Sequence, residues 1–192
     1  MKCIIVGDGP SARGFVPPEG ITIIAVKRSI NWLARADYWF SLDHNEASFH
    51  MMLRQRLGVR YYCAVPDVVE LPANVTRMER ISSSGEEPHR SGTPKWWLWR
   101  WGAMLGLCTE PGKIHSGNSA WGALGLAYHL GYDDVLLVGV DGTQDARISD
   151  KRSPNNLSHL HLLFQSALSQ VRLRTVGTMK GIPQTTLEDW LK

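Results

Sequence analysis

The sequence lacks long apolar runs and has few cysteines. No stretch among its 192 residues approaches the roughly 20 apolar residues that a membrane-spanning helix needs. Its three cysteines, Cys3, Cys63 and Cys108, are odd in number and lie far apart in apolar segments. This distribution argues against a disulfide framework and against a zinc site. We therefore expect a soluble protein of a reducing, cytoplasmic compartment, with no membrane span and no cleaved leader.

A strong net charge is also absent. The formal charge of +3 is too small to indicate an anionic polymer as partner, although it is compatible with an anionic ligand.

Tryptophan, in contrast, is abundant. Four of the eight tryptophans fall in residues 95–101, Lys-Trp-Trp-Leu-Trp-Arg-Trp, where rings alternate with cationic side chains. This Trp-rich segment needs an explanation in any functional interpretation.

Short apolar runs alternate with helical patterns along most of the chain, which is typical of a parallel sheet with crossover helices. The predicted strands are residues 2–6, 21–26, 37–43, 59–65, 134–141 and 171–176, and the predicted helices are residues 46–57, 116–130, 157–170 and 186–192. Residues 29–36 fit one or two helical turns. We expect a single Rossmann-like α/β domain over residues 1–192, with a less regular insertion at about 66–112 that forms a lid.

The first strand is followed by a loop suited to a phosphate. Residues 7–11 read Gly-Asp-Gly-Pro-Ser, and the two glycines permit close backbone approach and exposed N–H groups. The loop matches neither the dinucleotide fingerprint nor a P-loop, so an ordinary turn without a ligand is an equal alternative. Asp8 would repel a bare phosphate. It would instead accept a hydrogen bond from a ribose, a base or the loop's own backbone.

Three other polar clusters follow strands or open helices. Residues 116–119, Ser-Gly-Asn-Ser, start a helix, where unpaired N–H groups favour an anion, and a plain helix cap is the alternative. Asp141, within Gly-Val-Asp-Gly at residues 139–142, ends a strand, with a solvated turn as the alternative, and Asp43 ends another strand. Because ligands bind beyond the carboxyl ends of parallel strands, the clusters together indicate a nucleotide-linked substrate.

The order of these motifs resembles that of the short bacterial sialyltransferases and their relatives. These relatives include motility-associated glycosyltransferases, archaeal hydroxymethylpterin diphosphokinase-like proteins and small phage proteins. The matching motifs are Gly-Asp-Gly-Pro-Ser at 7–11, Asp-Tyr-Trp at 37–39, Ser-Gly-Asn-Ser at 116–119, Gly-Tyr at 131–132 and Gly-Val-Asp at 139–141. The resemblance covers most of the chain outside residues 66–112.

This resemblance implies a Rossmann-like, metal-independent glycosyltransferase. A nucleotide sugar would be its co-substrate, with no other cofactor. The donor-binding residues that it implies are Gly7, Asp8, Gly9, Pro10, Ser11, Lys27, Ser116, Gly117, Asn118, Ser119, Asp141 and Gly142. Two of them depart from the family pattern, since the sialyltransferases usually have Asn at the position of Asp8 and another Asn in the region of Lys27. Both departures argue against cytidine monophosphate-sialic acid as donor.

The resemblance also implies a catalytic histidine after the Gly-Val-Asp strand, where His159 is the nearest candidate. Histidine can take a proton from an acceptor hydroxyl near neutral pH. His161 shares the apolar face of the predicted helix, so we expect His161 in the core and His159 on the opposite side. Asp145 and Asp150 are alternative bases, and Asp43 completes the catalytic candidates.

The Trp-rich segment is the predicted acceptor platform, although at least two of its tryptophans are expected to be core residues. Aromatic rings stack on sugars or bases, and neighbouring cations meet phosphates. The predicted acceptor residues are Arg90, Lys95, Trp96, Trp99 and Arg100. The acceptor would be a glycan or, in a phage enzyme, a hydroxymethylated DNA base flipped into the site.

Two other functions compete with glycosyl transfer. A pyrophosphoryl or nucleotidyl transferase, as among the pterin relatives, would need magnesium, with Asp43 and Asp141 as ligands. A nucleotide-binding module without catalysis is the third interpretation. The sequence indicates no oligomeric state.

Overall fold

The computed structural model describes all 192 residues and contains one eight-stranded, all-parallel sheet. The strands are β1 (Lys2–Val6), β2 (Thr22–Val26), β3 (Tyr38–Ser41), β4 (Arg60–Val65), β5 (Val75–Ile81), β6 (Lys113–His115), β7 (Asp134–Val138) and β8 (Arg172–Thr175). The helices are α1 (Glu46–Leu53), α2 (Pro94–Arg100), α3 (Ser119–His129), α4 (Leu160–Ser166) and α5 (Leu187–Leu191). Two 3-10 turns, Pro10–Ala12 and Lys27–Asn31, follow β1 and β2.

The strand order is β6-β5-β4-β3-β2-β1-β7-β8. From β1 the chain builds the sheet outward to β6, crosses back through α3 and continues on the other side with β7 and β8. Ile4 of β1 is thus in register with Ile23 of β2 on one side and with Leu136 of β7 on the other. The connections change direction between β1 and β7, and an open α/β sheet binds its ligands at such a point. The predicted Rossmann-like fold is confirmed.

Successive side chains of each strand point to opposite faces of the sheet and pack into two hydrophobic cores, one on each face. Cys3 and Ile5 of β1 pack in the cluster that α3 and α4 cover. Ile4 and Val6 pack in the other, with residues of the 3-10 turns, α1 and α5. Small residues let α3 lie close to the sheet, since a Cβ at Gly122 would come within 2.5 Å of the Phe40 ring.

The structure differs from the sequence predictions in two regions. Helix α1 ends at Leu53, short of the predicted 57, because Arg56 turns back and donates hydrogen bonds to carbonyls near the 3-10 turn Lys27–Asn31. Within residues 66–112, predicted as less regular, β5 and α2 form, joined by irregular stretches. The apolar pattern of β5 is sparse because only Val75 and Met78 are buried among its polar residues.

None of the helices combines the length and apolar composition that crossing a membrane requires.

Candidate functional site

A cleft of about 280 Å³ lies where the sheet order reverses. The loops that follow β1, β2, β3 and β7 form it, together with the starts of α3 and α4. Trp101, just after α2, completes the wall. The cleft therefore occupies the edge at which the sequence predicted a nucleotide-linked substrate.

The loops after β1 and β7 are joined to each other by hydrogen bonds. The Gly9 N–H donates to the carbonyl of Gly139 at 2.9 Å. The Ser11 N–H donates to Oδ2 of Asp141 at 3.0 Å, and the Ser11 hydroxyl accepts from the Gly139 N–H at 2.9 Å. Ser11 and Asp141 thus fix the shape of this edge of the cleft.

Glycines allow these two loops to approach so closely. A Cβ at Gly7 would lie 2.2 Å from the Gly139 carbonyl oxygen, and one at Gly9 would lie 2.4 Å from Oδ2 of Asp141. Gly139 itself has a φ of 67°, a conformation that other residues rarely adopt. The packing of the two loops therefore requires these glycines whether or not a phosphate binds there.

Asp8 holds the segment of residues 143–158 that connects β7 to α4. Its carboxylate accepts hydrogen bonds from the Trp32 indole N–H at 3.0 Å, from the Ser149 N–H at 3.2 Å and from the Ser149 hydroxyl. The Asp8 carbonyl accepts from the Ile148 N–H at 2.9 Å. The sequence suggested a ribose, a base or the loop's own backbone as the donor to Asp8. In the structure the donors come from Trp32 and Ser149, which lie outside this loop.

The start of α3 offers free backbone donors to the cleft. Asn118 caps the helix, its Oδ1 accepting from the Trp121 N–H at 2.8 Å. The Ser119 hydroxyl accepts from the Leu42 N–H at 3.1 Å and so ties the helix to the end of β3. The N–H groups of Ser119 and Ala120 have no acceptor within the protein. With the positive end of the helix dipole, they form a position suited to an anion.

A lysine in an unusual backbone conformation also lines the cleft. Lys27 has a φ of 52°, and its ammonium group pairs with the Asp43 carboxylate. The Trp39 indole N–H donates to the Lys27 carbonyl at 2.8 Å, which stabilises this conformation. Backbone strain in a non-glycine residue is often found at ligand sites, and Lys27 and its partner Asp43 both line the cleft.

His159 is buried at the cleft wall, directly before α4. Its side chain is 2% exposed, and neither ring nitrogen has a hydrogen-bond partner within the protein. Burial, with a smaller contribution from the charge of His161, lowers the pKa of His159 from 6.5 to about 4. The imidazole is therefore neutral near pH 7, and neither nitrogen is engaged by the protein.

The expected orientation of the two histidines is wrong. His159 is buried, whereas His161 is partly exposed. Leu163 lies on the buried face of α4, and His159 lies one turn before it on that face. The apolar pattern that predicted the opposite includes the buried Leu160 and Phe164 but also Leu168, which is 42% exposed.

The tryptophans of the Trp-rich segment divide into two pairs. The indole N–H groups of Trp96 and Trp99 donate to Glu87 at 2.8 Å and to the Gly85 carbonyl at 2.9 Å, which holds the preceding loop. Trp97 and Trp101 stack with ring centroids 6.2 Å apart. Trp101 is 42% exposed and lines the cleft.

Most predicted donor-binding and catalytic residues meet in the cleft, whereas the predicted acceptor residues do not line it. The predicted residues that line it are Gly7, Asp8, Gly9, Pro10, Lys27, Asp43, Gly117, Asn118, Ser119, Asp141, Asp145 and His159. Those outside are Ser11, Ser116, Gly142, Arg90, Lys95, Trp96, Trp99 and Arg100.

Sequence reasoning missed several polar and aromatic residues of the wall. They are Arg28, Trp101, Arg147, Asn155 and Asn156. Three of them belong to residues 143–158, whose polar composition directly after a buried strand was an available signal. No group of three or more His, Cys, Asp or Glu side chains is placed to hold a metal ion.

Comparison with known proteins shows the fold. No family model matches the chain, and no curated protein matches its sequence. Among solved structures, the chain is similar to the MAf glycosyltransferase from Magnetospirillum magneticum AMB-1, with a TM-score of 0.57 and 14% sequence identity. The similarity covers 96% of this chain and 33% of that one, so the chain spans about a third of the protein it matches. The sheet and its helices thus share the fold of the matched third of that structure.

Proposed function

We propose that this protein is a glycosyltransferase that moves a sugar from a nucleotide-activated donor to a hydroxyl group without a metal ion. The observation that carries the proposal is the buried, neutral and unpartnered His159 in the wall of a cleft at the reversal point of the sheet. The similarity of the fold to a glycosyltransferase supports it.

The donor phosphate would bind at the start of α3. There the free N–H groups of Ser119 and Ala120 and the helix dipole would stabilise the charge that develops on the departing nucleotide. Lys27 lines the same cleft and would exchange part of its interaction with Asp43 for the phosphate. The nucleoside would lie along the joined loops after β1 and β7.

His159 would act as the general base. An imidazole nitrogen takes the proton of the acceptor hydroxyl while its oxygen attacks the anomeric carbon, and the bond from that carbon to the phosphate oxygen breaks. The nucleotide leaves with the bonding electron pair. Asp145 is the less suitable base, because it is exposed and accepts a hydrogen bond from the Thr143 hydroxyl at 2.6 Å.

The acceptor would bind on the side of Trp101. A ring that is partly exposed and backed by the stacked Trp97 suits the apolar face of a sugar or a nucleobase. Arg90, Lys95, Trp96, Trp99 and Arg100 would contact a larger acceptor beyond the cleft. A glycan and a flipped DNA base both fit this chemistry, and strong salt dependence of acceptor binding would distinguish DNA.

A pyrophosphoryl or nucleotidyl transferase is the second candidate, since Asp43 and Asp141 both line the cleft. Thermal-shift screening with nucleotide sugars and nucleoside triphosphates, each with and without a chelator, separates the two. The proposal expects a nucleotide sugar to raise the unfolding temperature equally in both conditions, with about 3 kcal/mol of stabilisation at a hundredfold excess over Kd. Binding of triphosphates alone, abolished by the chelator, would contradict it.

A further inference from the structure

A second cavity, of about 610 Å³, lies between the 3-10 turn Lys27–Asn31 and α1. Ile30, Leu33 and Met51 from its lining belong to the core on the face of the sheet opposite α3. Arg28 is the one residue that it shares with the cleft, and neither the α3 start nor His159 reaches it. The nucleotide cleft therefore does not account for this cavity.

The charged lining of the cavity consists of arginines. Arg28, Arg54 and Arg56 line it together with His50, and no carboxylate does. Beside the cavity, Arg28 pairs with Asp150, and His50 lies 3.7 Å from Glu46. Arg56 is held by carbonyls alone, donating to those of Ile30 at 3.0 Å, Leu33 at 2.6 Å and Ala34 at 2.8 Å. Its guanidinium is thus fixed in place while its charge lacks an anionic partner.

The other two arginines also have donors to offer. Arg54 is exposed and takes part in none of the ion pairs of the chain. Arg28 uses Nη1 for the Asp150 carboxylate, and its remaining nitrogens have no partner within the protein. Guanidinium groups bind phosphate through charge-assisted hydrogen bonds, and Arg54 and Arg28 keep donors free for such bonds while Arg56 adds its charge.

The remaining lining is apolar and aromatic. Ile30, Leu33, Met51 and Tyr61 form it, and the Tyr61 ring is fixed by stacking on Trp39 with centroids 5.1 Å apart. An inorganic anion would leave this surface uncovered. The cavity therefore suits a ligand that has an anionic group on one side and a ring or short apolar body on the other.

We propose that this cavity binds a phosphorylated small molecule, a phosphomonoester attached to a ring or short apolar body, at a site separate from the nucleotide cleft. Arg28, Arg54 and Arg56 hold the phosphate, and the apolar residues contact the body. The proposal is independent of the activity of the cleft, because it depends only on residues outside the proposed catalytic group.

Titration calorimetry with phenyl phosphate as the probe tests this site. The wild-type protein is compared with Arg54→Gln, with His50→Gln and with the control Arg13→Gln, which makes the same charge change at an exposed position outside both cavities. We expect Arg54→Gln to weaken phenyl phosphate binding about tenfold, as loss of a charged hydrogen bond does. His50→Gln should weaken it less, and Arg13→Gln should leave it unchanged.

Two further measurements locate the probe. Inorganic phosphate should bind more weakly than phenyl phosphate, and Asn118→Ala, which alters the cleft, should leave phenyl phosphate binding unchanged. The proposal is overturned if phenyl phosphate fails to bind at millimolar concentration. It is equally overturned if Asn118→Ala weakens the binding while folded Arg54→Gln and His50→Gln variants bind like the wild type.

Discussion

At the scale of single residues, the polar groups that line the cleft differ in how many hydrogen bonds the protein makes to them. Asp8 has a full set of donors from Trp32 and Ser149, whereas the buried His159 has no partner for either nitrogen. A buried polar group without a hydrogen bond lowers stability, so its persistence at a cleft wall indicates a function. His159 is therefore the residue on which the account depends most.

The burial of His159 has a consequence for stability that does not depend on activity. Its pKa is about 4 in the folded protein, against an ordinary value of 6.5, so between these values the unfolded chain binds a proton that the folded chain does not. Stability therefore falls as the pH is lowered from about 7 towards 4, and His159→Gln removes this contribution. Thermal unfolding of both proteins across this range should show a steeper loss in the wild type.

The His161→Gln variant is the matched control for this pH dependence, because His161 is a partly exposed neighbour. It should lose stability with the same slope as the wild type. Parallel pH profiles for the wild type and His159→Gln would show that His159 titrates normally in the folded protein.

At the scale of elements, the ends of the apolar strands were predictable, whereas the elements within residues 66–112 were not. The apolar runs of β1 and β7 are buried on both faces, so their ends identified Gly7, Asp8, Gly9 and Asp141 as neighbours. In β5, buried Val75 and Met78 lie among exposed polar residues that hid the strand.

Trp101 reaches the cleft through contacts that no local pattern reveals. Its carbonyl accepts a hydrogen bond from the Ser116 hydroxyl at 3.2 Å, and the next residue, Gly102, accepts from the Ser83 N–H at 2.9 Å. These are contacts between residues distant in sequence. For the same reason, sequence reasoning placed the acceptor site on Trp96 and Trp99.

The segment of residues 143–158 should loosen when its link to Asp8 is removed. Asp8→Ala deletes the acceptor of the Ser149 N–H and hydroxyl bonds while the sheet stays intact. We expect faster hydrogen exchange in residues 147–150, with unchanged exchange in β1 and β7, measured by mass spectrometry. Asp145→Ala, whose carboxylate bonds only to Thr143 within the segment, is the control and should leave this exchange unaltered.

The two tryptophan pairs should differ in acceptor binding. Trp101→Ala removes an exposed ring from the cleft wall, so the KM for the acceptor should rise about tenfold, the scale of one lost stacking contact. Trp96→Ala should have a smaller effect, because that ring lies outside the cleft and holds Glu87. Steady-state kinetics at saturating donor gives the acceptor KM of each variant, and these two values are compared. A larger effect of Trp96→Ala would place the acceptor on the outer surface.

At the scale of the whole molecule, the reversal of strand order between β1 and β7 brings all the proposed groups together. The loops after these strands and the start of α3 line the cleft together with His159 and Trp101. The second cavity lies on the other face of the sheet and shares Arg28 with the cleft. One chain thus has a cleft at the reversal point of the sheet and a second, arginine-lined cavity.

The central claim, that His159 is the general base of a sugar transfer, is tested most directly by turnover of His159→Gln. With a nucleotide sugar found by screening and its acceptor, kcat should fall by roughly 10²- to 10⁴-fold, as expected on loss of a general base. Donor affinity should change little, and His161→Gln should retain near wild-type turnover. A folded His159→Gln protein that transfers sugar at the wild-type rate would contradict the account.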